Sequence, residues 1–220
     1  MTTGLTSRAE AISTTVLADM VRDAGYPNQV VAPHIQAIGR SVPRAGWAYT
    51  IGGGAPEPGE SGPDFAKARA IDEMSPDQIA IWAGGDVSDV CLFGGLLAGA
   101  MAERGVRGAV VDGGVRDVED FESTGFLVHA RYVTPKASTG FWRVRQIQQP
   151  VTLPGAGPEV TVSPGDLVVA DRNGVVVIPR RAVTLVVAAG EAHVRREAEV
   201  RGRIEAGESL EGLLRTYGRI

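Results

Sequence analysis

Apolar residues along this chain change their period, and each change marks a different kind of element. Between residues 8 and 24, RAEAISTTVLADMVRDA places Ile12, Val16, Leu17, Met20 and Val21 on one helical face, and Gly25 with Pro27 ends the pattern. This predicts an amphipathic first helix. Residues 46–64 then run from a strand, WAYTI, into a Gly- and Pro-rich loop, GGGAPEPGESGP. From near residue 79, β-branched runs alternate with helical stretches: QIAIWA, a helix over about 94–104, GAVVDG, a short helix from 116, and FLVHARYV. Short helices between such runs join strands lying side by side, so the pattern predicts a parallel βαβαβ core with right-handed crossovers. After residue 143, VRQIQQPVTL, EVTVSP, DLVVAD and GVVVIP are short strands punctuated by Pro-Gly and Asn-Gly, expected to close the sheet in antiparallel or mixed fashion. Segment 180–216 predicts a long charged helix and a shorter one. With no internal repeat and no clean linker, residues 1–220 are expected to form a single α/β domain.

Composition narrows the function classes. With 220 residues, 44% of them hydrophobic, the chain can bury a substantial core. No apolar run approaches the roughly 20 residues needed to span a bilayer, and neither terminus looks like a leader, so a cytoplasmic protein with no membrane partner is expected. The formal charge is −4 with no basic run, which gives no footprint for nucleic acid. The single cysteine, Cys91, cannot form an internal disulfide and sits in VCLF, where a buried structural thiol is expected. Lys67 and Lys136 are the only lysines, which leaves few candidates for Schiff-base chemistry. None of His34, His129 and His193 shows a second ligand at zinc spacing, and the triple glycine lacks the residues of a phosphate-binding loop.

Two strand ends carry the candidate chemistry, because ligands of open α/β sheets collect where helix N-termini present free N–H groups. In FGGLLAGA, Gly94 and Gly95 permit close backbone approach and Leu96 and Leu97 open a helix whose amides suit a carboxylate. In VVDGGVRD, a strand ends at Asp112, turns through Gly113 and Gly114, and presents Arg116 and Asp117. Arg116 and Asp117 could be a surface pair or a helix cap. Alternatively, Arg116 grips a substrate carboxylate with its forked guanidinium while Asp117 supplies an oxygen to a hard divalent cation. Asp112 is expected to form the turn.

The stretch FGGLLAGAMAERGVRGAVVDGGVRD resembles the signature of the RraA-like family, which includes the 4-hydroxy-4-methyl-2-oxoglutarate aldolases. The likeness extends to STTVLADM, AIDEMSPDQIAIWAGG and VTVSPGDLVVADRNGVVVIP, and its specific part is the GxVxDGxxRD pattern, here GAVVDGGVRD. The resemblance implies a swivelling-type α/β/α sandwich with a central mixed sheet, assembled as a homotrimer or homohexamer with sites between protomers. It also implies Mg²⁺- or Mn²⁺-dependent retro-aldol cleavage of a 4-hydroxy-2-oxo acid to pyruvate, with oxaloacetate decarboxylation through the same enolate. By position, Arg116 would bind the pyruvyl group, Asp117 the metal, and the backbone of Gly94, Gly95, Leu96 and Leu97 would cradle the substrate. Glu197 of a neighbouring subunit would reach the metal through water. Many of these aldolases have an acidic residue where this chain has Gly95, and the family also contains regulators of ribonuclease E that act by binding protein.

Overall fold

The computed structural model describes residues 3–39 and 42–218. Two short helices, α1 (Thr3–Glu10) and α2 (Thr14–Asp23), precede β1 (Gln36–Ala37) and the long β2 (Arg44–Gly54). Next come α3 (Phe65–Asp72), β3 (Gln78–Ala83), β4 (Cys91–Phe93), α4 (Gly95–Glu103), β5 (Gly108–Val115), α5 (Val118–Thr124) and β6 (Leu127–Val133). The strands β7 (Arg143–Ile147), β8 (Val151–Leu153), β9 (Val160–Val162), β10 (Leu167–Asp171) and β11 (Gly174–Ile178) follow, then α6 (Val183–Glu205) and α7 (Leu210–Tyr217).

The fold is mixed α/β around the expected parallel core. The main sheet runs β1-β6-β5-β3-β2-β10-β11, with β4 beside β5 and β7 beside β2, while β8 and β9 form a separate antiparallel pair. β2, β3, β5 and β6 are mutually parallel, and β10 is antiparallel to both β2 and β11. Residue parity shows how the layers are arranged, because alternate strand residues face opposite sides. Along β2, Ala45 packs with the residues of α1, α2 and α6, and Tyr49 and Ile51 pack with those of α3 and α4, so these helices share one face of the sheet. The opposite parity (Ala48, Ile79, Ile81, Val110, Val168 and Ala170) packs on Val151, Leu153, Val160 and Val162 of the β8–β9 pair.

Four local expectations are corrected. The helix over 8–24 is two helices, because Ser13 turns extended and its hydroxyl accepts the Val16 amide as a new cap, while Asp171 accepts from both the amide and the hydroxyl of Thr14. The triple glycine belongs to β2 and not to the loop: a Cβ on Gly53 would stand 2.1 Å from the Trp142 ring, so only glycine lets the strand continue beneath that indole. The strand expected to end at Asp112 runs on through Gly113 and Gly114 to Val115, with a register shift between Val111 and Gly114. Asp112 is therefore no turn-former; it is a buried strand residue ion-paired with Arg131 of β6.

An aromatic column ties the segments that matter most. Trp82 of β3 stacks on Phe93 of β4 at 5.8 Å, Phe93 on Phe121 of α5 at 5.5 Å, and Trp82 meets Trp142 at 6.0 Å. Each such pair contributes about 0.5–1.5 kcal/mol beyond the area it buries. Phe93 immediately precedes Gly94, Phe121 follows Asp117 by one helical turn, and Trp142 closes the loop after β6. Packing in the core thus fixes three loops against one another.

Candidate functional site

Those three loops enclose a hollow of about 250 Å³ at the carboxyl ends of β4 and β5. Gly94 is extended (φ −142°, ψ −169°) and caps α4, and Gly95 begins its first turn. Asp117 takes a left-handed conformation (φ 62°, ψ 51°), which a short polar side chain tolerates better than most. This turn swings its carboxylate back over α4, where Oδ2 accepts the Gly95 N–H at 3.0 Å. A negative charge on the positive end of a helix is favourable. Arg116 Nε stands 3.5 Å from the same oxygen, and both side chains remain close to half exposed.

Gly94, Leu96, Leu97, Arg116 and Asp117 all line this hollow, so residues separated by about twenty positions in sequence meet at one place. The amide supply is smaller than the sequence suggests. Gly95 is engaged by Asp117, and Leu97 and Ala98 donate to the Gly94 carbonyl, which leaves the Leu96 amide as the open donor of that turn among the described residues. A side chain at Gly94 would intrude on the pair, since its Cβ would lie 2.5 Å from Asp117 Oδ2 and 2.9 Å from Arg116 Cγ. At Gly95 a Cβ would fall 1.9 Å from Asp120 Oδ2. The volume a residue 95 side chain would fill is thus occupied by a carboxylate from α5.

Lys67, weighed from the sequence only as a candidate for Schiff-base chemistry, is the residue whose place in the hollow was not foreseen. Its ammonium enters the same hollow from α3, donating to the Leu92 carbonyl at 2.9 Å and to Ser138 Oγ at 3.1 Å, with the Trp142 ring 5.0 Å away. Burial pushes its pKa down, and Asp64 offsets part of that. The loop TPKASTG after β6 also lines the hollow, through Ala137, Ser138 and Thr139. Trp142 itself is core, donating its indole N–H to the Gly84 carbonyl at 3.0 Å. Cys91 is buried, and burial pushes its thiol pKa up, which suits an inert structural residue.

Other candidates lie elsewhere. His129 is fully buried and bonds the Asp171 carbonyl at 2.8 Å. His193 does have a carboxylate at helical spacing, contrary to the sequence reading: its Nε2 is 3.4 Å from Glu197 Oε1 one turn on along α6. Glu197 does not line the hollow within the chain. A larger hollow of about 570 Å³ opens on the other sheet face beside Asp112, Arg131 and Arg145, but these charges are already neutralised, Arg131 by Asp112 and Arg145 by Glu60.

A mixed α/β sheet groups an arginine, an aspartate and a glycine-opened helix at the ends of its parallel strands, an arrangement that can receive a small anion. The chain belongs to the RraA-like family (Aldolase/RraA), whose pattern matches residues 14–177. It is 35% identical over 150 residues to an uncharacterized protein of Methanocaldococcus jannaschii, covering 68% of this chain and 66% of that one. It is 31% identical over 111 residues to the 4-hydroxy-4-methyl-2-oxoglutarate aldolase of Thermus thermophilus, covering 50% of this chain and 65% of that protein. The matched segments thus span just under two thirds of these relatives. Among solved structures, Streptomyces coelicolor RraAS2, a member of the RNase ES inhibitor RraA protein family, superposes with a TM-score of 0.78 at 24% identity, covering 90% of this chain and 96% of that one. No described helix is long and apolar enough to cross a membrane.

Proposed function

We propose that the protein is a divalent-metal-dependent lyase that cleaves a 4-hydroxy-2-oxo acid, of the 4-hydroxy-4-methyl-2-oxoglutarate type, to pyruvate, and that decarboxylates oxaloacetate by the same chemistry. One observation carries this reading: Arg116 and Asp117 stand side by side on a hollow whose other wall is the glycine-opened start of α4. Arg116 binds the substrate carboxylate through two parallel N–H donors, and the Leu96 amide adds a neutral donor beside it. Leu96 and Leu97 give the hollow an apolar wall that limits water around the reacting bond.

The residues present fit a hard cation of modest demand. Among the described residues no three His, Cys, Asp or Glu side chains cluster, so Asp117 would be this chain's direct ligand, and Mg²⁺ is commonly held by one or two carboxylates with water completing its shell. A bound Mg²⁺ or Mn²⁺ supplies Lewis-acid stabilisation of the negative charge that develops on the 2-oxo oxygen. In this proposal the protein is a homotrimer or homohexamer, and Glu197 of a neighbouring protomer faces the metal through water. The name carried by the Thermus relative supports the aldolase reading.

A second reading is a non-catalytic regulator that binds another protein. Leu96 on the wall of the hollow and Phe65 at the start of α3 favour it, as these large apolar residues are 86% and 77% exposed. An assay of pyruvate release from 4-hydroxy-2-oxo acids and oxaloacetate separates the two. Release that stops on EDTA treatment and returns with Mg²⁺ is expected, with no adduct at Lys67 or Lys136 after borohydride and pyruvate. Release that survives EDTA would remove the metal from the proposal, and no release from any substrate would favour the regulator. Gly94→Ala is expected to lower kcat/KM by about tenfold or more by displacing the Arg116–Asp117 pair, since small misplacements of reacting groups are costly. Its thermal unfolding should change little, because the crowded atoms belong to half-exposed side chains that can turn aside.

A further inference from the structure

Lys67 is a cation that the proposed chemistry leaves without a task. Its ammonium has three N–H donors, of which two go to the Leu92 carbonyl and Ser138 Oγ, and among the described residues it has no ion pair. A carbonyl, a hydroxyl and the face of an indole all favour the charged ammonium over a free amine. These contacts favour the charged ammonium and work against the burial that pulls its pKa down.

Its position divides two hollows. Lys67, Ser138 and Thr139 line both the hollow of Arg116 and Asp117 and an adjoining one of about 290 Å³ bounded by Gly62, Asp64, Trp142 and Arg143, where the Asp64 carboxylate accepts the backbone N–H groups of Lys67 and Val144. Arg143 is committed to Glu60 and to the carbonyls of Gly62 and Pro63, so it does not compete for a ligand. Within the first hollow, Arg116 and Lys67 carry two positive charges against the single negative charge of Asp117. Partly buried charge without a partner is unfavourable, and a second anionic group on the ligand would balance it.

We propose that Lys67, with Ser138 and Thr139, holds the distal carboxylate of the substrate, so that the site selects dianionic 2-oxo acids over monoanionic ones. This rests on the reading in which Arg116 takes the first carboxylate. Lys67 acts here as a specificity-determining residue at the junction of the two hollows, and a substrate reaching it extends from the first toward the second.

The test uses two ligands that lack the 4-hydroxyl group and are not cleaved, 2-oxoglutarate and 2-oxobutanoate, titrated calorimetrically into the full-length protein with Mg²⁺ present. The wild type is expected to bind 2-oxoglutarate about tenfold more tightly or better. Lys67→Met should erase that preference and leave 2-oxobutanoate within about twofold of wild type, whereas Lys67→Arg should retain most of it. If Lys67→Met fails to fold, Ser138→Ala takes its place, with a loss of at least about threefold expected for 2-oxoglutarate alone. A wild type indifferent to the second carboxylate, or a Lys67→Met variant that loses both ligands equally or keeps the preference, overturns the proposal. Failure of the catalytic reading looks different: selective binding with no pyruvate release from any 4-hydroxy-2-oxo acid would sink the lyase and leave the Lys67 subsite standing.

Discussion

Alanine at Asp117 is expected to remove the dependence of pyruvate release on divalent metal together with about 10²–10³ of turnover, the scale of losing one preorganised electrostatic contact in a transition state. Alanine at Arg116 should instead raise KM as well as lower kcat, because the guanidinium binds substrate before and during reaction. Neither change should unfold the protein. Both side chains are close to half exposed and their mutual ion pair at 3.5 Å contributes little to stability. Asp117 also accepts the Gly95 amide, so its alanine variant should lose about 0.5–2 kcal/mol, as for other helix caps. Asp117→Asn separates the two roles, since an amide oxygen can still accept that N–H but is a poor ligand for a hard cation. Steady-state kinetics over a range of Mg²⁺ concentrations, alongside thermal unfolding, measure all of this. Near-wild-type kinetics in both alanine variants would return the pair to a surface salt bridge and cap.

The largest loss of stability is expected from Arg131→Met. Asp112 is buried in β5 with its side chain 7% exposed, and Arg131 of β6 is its ion-pair partner. Removing one member of such a pair strands the other, at a cost of about 3–5 kcal/mol. Burial pushes the Asp112 pKa above its usual 3.8, with Arg131 opposing. The folded state therefore holds this proton more tightly than the unfolded state, so ionising Asp112 subtracts stability as pH rises from below 3.8 through the folded pKa. Without Arg131 the folded pKa moves higher still. The deficit of Arg131→Met should then be greatest near neutral pH and shrink in acid, and Asp112→Asn in the same chain should recover much of it. Urea unfolding at acid and neutral pH tests this; a deficit independent of pH would mean that the buried charge is not its cause.

The strand-helix alternation from QIAIWA to FLVHARYV was legible because it is local, each period recording which side of one element faces the core. The same holds for β7, β10 and β11 and for the two C-terminal helices, whereas β8 and β9, expected to help close the sheet, pair with each other as a separate ribbon packed on its face. The positions Gly94–Leu97, Arg116 and Asp117 were legible for a related reason: glycines and charges at strand ends are punctuation that sequence displays directly. The break at Ser13 was missed because Ile12, Val16 and Leu17 keep a helical spacing across it, and the Asp171 carboxylate that anchors the start of the new helix lies 157 positions from Thr14.

What the sequence by itself determined is therefore the class of fold, the parallel core and the pair of segments that bear charge and glycine, all of which follow from period and turn chemistry within about a dozen neighbouring residues. Tertiary structure alone decided which of the remaining polar groups join them. Lys67 lies 25 positions from the carbonyl it bonds and 71 from Ser138, so nothing near it in the chain marks it as part of the hollow. Asp112 sits in a motif whose glycines suggest a turn, and only the arrival of Arg131 on the adjacent strand converts it to a buried ion pair. Whether the three glycines after β-strand residue Ile51 form a loop or a strand was settled by the Trp142 indole, which packs where a side chain on Gly53 would stand. In each case the deciding contact is long-range, and its energy depends on a burial that exists only once the sheet has closed.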